Sequence, residues 1–246
     1  MDRTHLQSKQ KHHCCYFAAC LVFLFTAVTV RTQDREHPPS GCNPCRASDL
    51  VELVKLDSTI KLDIRYATDN NFMGKPVYPE PRAFLQRPAA EALVSAHHWL
   101  KQKGYGLVVY DAYRPWSVTK LFWDLTPPEK QLFVADPSVG SVHNRGCAVD
   151  VGLYEITTGR VVDMPSGFDE FSERSSINHA GGTAGQRACR DLLRKAMERE
   201  GLFFVYTKEW WHYNFRDYGD YPVLDIPFSD IRSPEETGKS DFHTQQ

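Results

Sequence analysis

Alternation of apolar and polar positions predicts strands in the first half of the chain. In KLDIRYA, residues 61–67, the apolar Leu62, Ile64 and Tyr66 lie on one face of an extended segment. The segment GLVVYDAY, residues 106–113, is predicted to form a second strand.

Apolar residues at helical spacing predict three helices. The segment PAAEALVSAHHWLKQKG, residues 88–104, begins with a proline suited to a first helical turn and ends in glycine. A second helix is predicted from Pro115 to Leu125. A third, amphipathic helix is predicted in ACRDLLRKAMEREG, residues 188–201.

Two further blocks are predicted to be β-hairpins. CAVDVGLYEITTGRVVDM, residues 147–164, is expected to turn at Thr158 and Gly159, and GLFFVYTKEWWHYNF, residues 201–215, around Thr207 and Lys208. Helices set beside antiparallel hairpins indicate an α+β domain, in which an antiparallel sheet is flanked by helices.

The two ends of the chain differ in composition from the part between them. Basic residues precede an uncharged apolar run, CCYFAACLVFLFTAVTV, so residues 1–30 are predicted to be a signal peptide or an uncleaved signal anchor. A polar, proline-bearing linker is expected at 31–41 and a disordered polar tail at 229–246. One domain remains at 42–228. The protein is therefore expected to be secreted or periplasmic, or membrane-anchored if the segment is not cleaved.

The charge balance restricts the class of partner. The chain of 246 residues carries 29 Lys and Arg against 31 Asp and Glu, a net charge of −2. This gives neither the basic footprint of a nucleic-acid-binding protein nor a large excess for an anionic membrane. We expect a small or neutral ligand and no nucleic acid.

Four cysteines remain if a signal peptide is removed: Cys42, Cys45, Cys147 and Cys189. An even number in an oxidising compartment suggests disulfides, with three possible connectivities. The CNPC sequence at 42–45 resembles half a zinc site or a redox pair, but no second CxxC completes four thiolates. A disulfide near the start of the mature chain is favoured.

Three polar residues in the hairpin blocks have the spacing of a metal site. Asp150 faces away from the valine side of its predicted strand, and Gly146 permits the preceding loop to bring His143 near that carboxylate. His212 lies on the second hairpin, so all three converge if the hairpins share a sheet. Two histidines and one carboxylate, with a further position for water, are typical of a catalytic zinc site.

Two further residues fit hydrolytic chemistry. Glu209, placed in the turn before His212, is a candidate general base towards water that zinc has made acidic. Arg114, between a strand end and a helix start, is a candidate to stabilise the tetrahedral oxyanion. Arg114 could instead simply pair with Asp111. The neighbouring Trp210 and Trp211 could be core residues and nothing more.

At this point the motifs match a known family. SVHNRGCAVD, EWWH and YDAYRP resemble those of the VanX-type D-alanyl-D-alanine dipeptidases, zinc peptidases whose family also includes D-Ala-D-Ala carboxypeptidases. The resemblance covers most of 50–226, including IRYATDNNFMGKPV, GYGLVVYDAYRP, FDEFSERS and EWWHYNFRD. It implies the fold shared by these D,D-peptidases and the hedgehog signalling domain, with metal ligands carried on the hairpins.

The resemblance also implies roles for individual residues. His143, Asp150 and His212 would hold one Zn2+ ion, Glu209 would be the general base and Arg114 would stabilise the intermediate. A second set would line the pocket for the free amino terminus of the dipeptide: Tyr66, Ser141 and Asp169. The implied reaction is hydrolysis of D-Ala-D-Ala, a small-molecule substrate, to two D-alanines.

Two departures from the family pattern and two alternatives remain. Cys147 stands where the family more often has a small hydroxyl residue and is a candidate to pair with Cys189. The expected export is the second departure, because the resistance enzymes of this type work in the cytoplasm. It suggests scavenging or cell-wall turnover.

The alternatives are a D,D-carboxypeptidase or endopeptidase acting on peptidoglycan stem peptides in an open groove, and a zinc-stabilised binding domain without hydrolysis.

Overall fold

The computed structural model describes residues 37–231, and these contain seven strands and four helices. The strands are β1 (Leu50–Glu52), β2 (Lys61–Leu62), β3 (Phe84–Gln86), β4 (Tyr105–Asp111), β5 (Ala148–Glu155), β6 (Phe203–Val205) and β7 (His212–Phe215). The helices are α1 (Leu53–Leu56), α2 (Arg87–Lys101), α3 (Trp116–Leu125) and α4 (Ala184–Glu198).

A mixed five-stranded sheet forms the centre of this fold. Its order is β2-β4-β5-β7-β6, and β1 and β3 form a separate antiparallel pair. Helices α2 and α4 pack against the sheet and against each other. The apolar side chains of β5, Val149, Val151 and Leu153, are fully buried. The α+β prediction is confirmed, although the sheet is not wholly antiparallel because β2 and β4 run parallel.

The predicted helices are present with small shifts of their ends. The α2 helix has Pro88 in its first turn, as expected, and α3 follows directly after Pro115. The α4 helix begins one turn earlier than the pattern predicted, because Thr183 and Gln186 form a reciprocal capping box at its start.

The strand predicted at 61–67 is wrong beyond Leu62. The following residues instead form a 3-10 turn, Arg65–Ala67, that still buries Ile64 and Tyr66. Pairing with β4 would continue at Tyr110. Tyr110 is the extra residue of a β-bulge in β4 between Val109 and Asp111, and the regular pairing of β2 with β4 ends at Val109.

The two hairpins differ in how completely they form. The second is as predicted, with β6 and β7 antiparallel and a turn at residues 207–208. The first has β5 as one full arm, but its return arm makes a single bridge, Tyr154 to Val161. Because β7 occupies the edge of β5 from Ala148 to Asp150, the return arm can pair only beyond it.

The predicted pairing of Cys147 with Cys189 is wrong, since both are free thiols. Cys147 is buried beside the start of β5, whereas Cys189 contacts Tyr105, which pairs with Glu155 at the far end of β5. A strand length separates them, far beyond the reach of a disulfide. Cys42 and Cys45 form the disulfide that the CNPC sequence favoured.

The chain termini lie largely outside the described residues. This applies to the predicted signal segment at 1–30, to most of the linker and to residues 232–246 of the predicted tail. At the carboxyl end of the described range, Phe228 is buried in the core. Between residues 37 and 231, no helix is long and apolar enough to span a membrane.

Candidate metal and active site

Three neighbouring strands place a row of polar side chains on one face of the sheet. Asp150 of β5 pairs directly with His212 of β7, and on its other side with Asp111 of β4. Residues directly opposite each other on antiparallel strands project to the same face. The bulge at Tyr110 matters here, because it shifts the register so that Asp111 faces Asp150.

His143 reaches the same place from a 3-10 turn, His143–Arg145, that precedes β5. Gly146 ends this turn with φ +65°, a conformation that glycine adopts without strain. The turn is fastened to the start of α3 by three hydrogen bonds. Arg114 N–H donates to the carbonyl of His143 at 3.1 Å, and Asn144 Nδ2 donates to the carbonyl of Arg114 at 2.9 Å and to Oγ1 of Thr119 at 2.8 Å.

The three predicted ligands converge as a metal site requires. Nδ1 of His212 lies 3.0 Å from Oδ1 of Asp150 and 3.2 Å from Nε2 of His143, and the remaining pair, His143 Nε2 and Asp150 Oδ1, is 3.4 Å apart. Tetrahedral zinc with bonds of about 2.0–2.1 Å separates its ligand atoms by about 3.3 Å. These residues therefore fit zinc, and they form the one such group found among residues 37–231.

The outer nitrogens of both histidines face hydrogen-bond acceptors. His143 Nδ1 lies 2.7 Å from the carbonyl of Ala112, and His212 Nε2 lies 2.9 Å from Oδ1 of Asn214. We call His143, Asp150 and His212 the triad. A neutral imidazole ring that donates a hydrogen bond from the nitrogen facing away from the triad turns the lone pair of its other nitrogen towards the triad. Three lone-pair-bearing atoms then face one another, an arrangement that a cation stabilises.

The pKa values of His212 and Asp150 also favour a positive charge between the two side chains. Burial disfavours charged His212, but its hydrogen bond to Asp150 and the charge of that carboxylate outweigh burial and raise the pKa of His212 to about 9. Although burial alone would raise the pKa of Asp150, the charge and hydrogen bond of His143, together with His212, hold it well below its usual range.

Glu209, the candidate general base, lies beside His212. It is in the turn between β6 and β7, as predicted, and its Oε2 is 3.9 Å from His212 Nδ1. Its side chain is 27% exposed, so it can reach both the triad and solvent. Burial is the main cause that raises the pKa of Glu209 above its usual value, which brings the carboxylate closer to the pKa of an effective base.

Arg114 is almost fully buried beside the triad. Its Nε and Nη2 donate to Oδ2 of Asp111 at 3.1 and 2.6 Å, so the alternative pairing is present. The guanidinium also lies over the rings of Tyr66 and Phe122. The pairing does not exclude a role in the reaction, because Asp111 binds only one edge of the guanidinium and orients the rest.

Two of the three residues predicted for the substrate pocket, Tyr66 and Asp169, contact each other directly. Tyr66 donates from its hydroxyl to Oδ2 of Asp169 at 2.8 Å. The charges of Asp150, Arg114 and Glu209 all act on Asp169, so these groups lie within electrostatic reach of one another. Burial, then the charge of Asp150, raises the pKa of Asp169 well above its usual value.

Ser141 is placed differently. Its Oγ accepts from the N–H of His143 at 3.2 Å, and its own N–H donates to Oδ1 of Asn144 at 2.6 Å. Within the described part of the chain it makes no hydrogen bond to Tyr66 or Asp169. Ser141 therefore supports the turn that carries His143.

Several supporting residues gave no signal in the sequence. Asn144 and Asn214 follow ligand residues at one and two positions, but nothing in a single sequence separates them from other polar residues. Asp111 appeared only as a possible partner of Arg114. Trp210 and Trp211 are both buried, and Trp210 donates from Nε1 to Ser166 Oγ at 2.9 Å.

Sequence comparison relates this chain to known D-alanyl-D-alanine dipeptidases. The family described as D-ala-D-ala dipeptidase, Peptidase M15, matches residues 46–234. The D-alanyl-D-alanine dipeptidase of Escherichia coli K12 is 34% identical over 187 residues, 76% of this chain and 95% of the relative. The enzyme of the same name from Enterococcus faecium is 36% identical over 188 residues, 67% of this chain and 93% of the relative.

A solved structure is similar only at lower identity. The vancomycin resistance D,D-dipeptidase VanXYg, in complex with a D-Ala-D-Ala phosphinate analogue, is 17% identical with a TM-score of 0.35, covering 78% of this chain and 72% of that one.

The sequence relatives and the convergent His, Asp and His side chains define a peptidase of a metallopeptidase class. More narrowly, the chain belongs to the D-ala-D-ala dipeptidase family, Peptidase M15.

Proposed function

We propose that this protein hydrolyses D-Ala-D-Ala to two D-alanines with one Zn2+ ion held by His143, Asp150 and His212. The observation that carries the proposal is the triangle of ligand atoms with sides of 3.0–3.4 Å, next to Glu209 and Arg114. Relatives that carry the name D-alanyl-D-alanine dipeptidase support the choice of substrate. Three protein ligands are typical of catalytic zinc, whereas structural sites have four.

Each supporting residue has one task in the proposed reaction. When bound, zinc supplies Lewis acidity towards a carbonyl oxygen and lowers the pKa of water. Glu209 takes a proton from the attacking water and passes it to the nitrogen of the leaving D-alanine as the peptide C–N bond breaks. Arg114, oriented by Asp111, stabilises the negative oxygen formed when water adds to the carbonyl.

Asp169 selects the substrate in this proposal. Its carboxylate would pair with the ammonium of a dipeptide, an ion pair that a longer peptide cannot form at the same position. The hydroxyl of Tyr66 fixes the orientation of that carboxylate through their 2.8 Å hydrogen bond.

The test is release of D-alanine by the zinc-loaded full chain from D-Ala-D-Ala and, in parallel, from a stem pentapeptide ending in D-Ala-D-Ala. The proposal expects rapid cleavage of the dipeptide and little of the pentapeptide. Preferred cleavage of the pentapeptide would change the assignment to a carboxypeptidase. Retained zinc with no cleavage of either would favour a binding domain.

We further propose that the protein is exported. The apolar segment at residues 14–30 and the Cys42–Cys45 disulfide support an oxidising compartment. Amino-terminal sequencing of protein from the producing cells would check this, with a start downstream of the apolar segment as the expected result for a cleaved signal. Full-length protein confined to the cytosolic fraction would contradict it.

A further inference from the structure

We propose that an aromatic ladder, made of Tyr66, Phe122, Phe72, Phe171 and Phe133, sets the length of peptide that the site accepts. The inference rests on the proposed function and adds specificity-determining residues to it. Asp169 would recognise the ammonium of a dipeptide, and the ladder would fill the space that an additional amino-terminal residue needs.

The ladder is continuous from the pocket outwards. The Tyr66 ring centroid lies 4.8 Å from that of Phe122 and 6.1 Å from that of Phe72. Phe72 contacts Phe171 edge-on at 5.6 Å, and Phe171 stacks on Phe133 at 5.0 Å with an interplanar angle of 22°. The three outer rings come from three separate segments of the chain, so the ladder is a tertiary feature and not a local one.

Exposure rises along the same path. Tyr66 and Phe122 are each 2% exposed, Phe72 is half-buried, and Phe171 and Phe133 are 38% and 42% exposed. The rings therefore extend from Tyr66, the hydrogen-bond partner of Asp169, to the protein surface. Phe171 and Phe133 stack on each other at the surface, so together they present one continuous apolar face next to the Asp169 loop.

The ladder is joined to the pocket at two points. Tyr66 is both its innermost ring and the hydrogen-bond donor to Asp169. Phe171 follows Asp169 by two residues in the same loop, in which Asp169 has the unusual φ of +56°. A tripeptide whose last two residues took the place of the dipeptide would direct its first residue past Asp169 and into these rings.

The test compares the wild type with a double variant, Phe133→Ala with Phe171→Ala, on D-Ala-D-Ala and on L-Ala-D-Ala-D-Ala. The measured quantity is the ratio of kcat/KM for the tripeptide to that for the dipeptide, followed by chromatographic loss of each peptide. We expect the ratio to rise at least tenfold in the double variant. Each single variant should show a smaller rise, which keeps the test available if the double variant does not fold.

Two matched controls separate space from other effects. Phe204→Ala removes a ring with the same 42% exposure from β6, away from the ladder, and should leave the ratio unchanged. The double variant Phe133→Leu with Phe171→Leu retains bulk and should keep the ratio near that of the wild type. An unchanged ratio in a folded, zinc-loaded alanine variant would overturn the inference, as would an equal rise in the leucine variant. Wild-type protein that cleaves neither peptide would instead overturn the proposed function.

Discussion

A single buried carboxylate connects two parts of the site. Asp111 is fully buried and accepts hydrogen bonds from Arg114 and from the hydroxyl of Tyr78, while its Oδ2 lies 3.7 Å from Nδ1 of His143. It thus orients the arginine proposed to stabilise the oxyanion and adds negative charge next to His143, a proposed metal ligand. A group of this kind acts through its neighbours and not on the substrate.

Replacing Asp111 by Asn should therefore affect turnover more than binding. With Arg114 less firmly oriented, we expect kcat to fall about 10²-fold, near the loss seen when one oxyanion donor is removed. KM should change little. Steady-state measurement of kcat and KM for the folded, zinc-loaded Asp111→Asn variant would check this. Asp49→Asn is the control, because it alters a 2.6 Å pair with Arg87 that is exposed to solvent. Equal effects of the two substitutions would contradict the assigned role.

Metal affinity should depend on pH through His212. The pKa of His212 is about 9, above the usual 6.5, so a metal that binds His212 at neutral pH must displace a proton. Apparent affinity should rise with pH, by about tenfold per unit for the loss of this one proton, and level off above about pH 9. Competition with a chromophoric chelator at several pH values measures this. An affinity independent of pH from 6.5 to 8.5 would exclude the proton exchange.

At the scale of elements, the junctions between strands and turns determine the site. The bulge in β4 aligns Asp111 with Asp150, and the turn before β5 returns the chain so that His143 meets them. At Gly146 an added Cβ would collide with Leu50 Cδ2 and lie 3.3 Å from the backbone N of Gln86. The turn is therefore constrained by conformation and by space.

Alanine at Gly146 should lower both stability and metal affinity. Its left-handed backbone alone costs a non-glycine residue about 1–2 kcal/mol, and the collision adds to that. Gly201 is a matched control, with φ +66° and no atom within 4 Å of an added Cβ. Chemical denaturation should show the larger loss for Gly146→Ala, and zinc titration should show weaker binding in that variant alone. Unaltered zinc binding in Gly146→Ala would show that the turn does not position His143.

For the whole molecule, the sequence predicted the elements that have a clear pattern and the site residues that belong to a recognisable motif. Helix α2 has a long periodic pattern, the β6–β7 hairpin is marked by a turn between two apolar segments, and His143, Asp150 and His212 belong to motifs whose spacing has a chemical reason. The β1–β3 pair was not foreseen, because three-residue strands show no period. The bulge at Tyr110 and the distance between Cys147 and Cys189 depend on tertiary pairing, so residue order alone could not reveal the role of Asp111 or exclude the disulfide.

Metal removal should destabilise the whole fold. A ligand that binds only the folded state adds about 4 kcal/mol when its free concentration is 1,000 times Kd. Chelation should therefore lower the thermal midpoint of unfolding. Asp150→Asn should unfold at the same temperature with and without chelator. Equal midpoints for chelated and zinc-loaded wild type would argue against a metal at this site.

The most direct test of the account is Glu209→Gln, assayed together for zinc content and D-Ala-D-Ala hydrolysis. The amide keeps the shape of Glu209 but cannot accept a proton from water. We predict one zinc per chain, as in the wild type, and a kcat lower by about 10²- to 10⁴-fold. Glu200→Gln, on the protein surface, should behave like the wild type. Hydrolysis that persists in Glu209→Gln with zinc bound would contradict the assignment of Glu209 as the base and the site built around it.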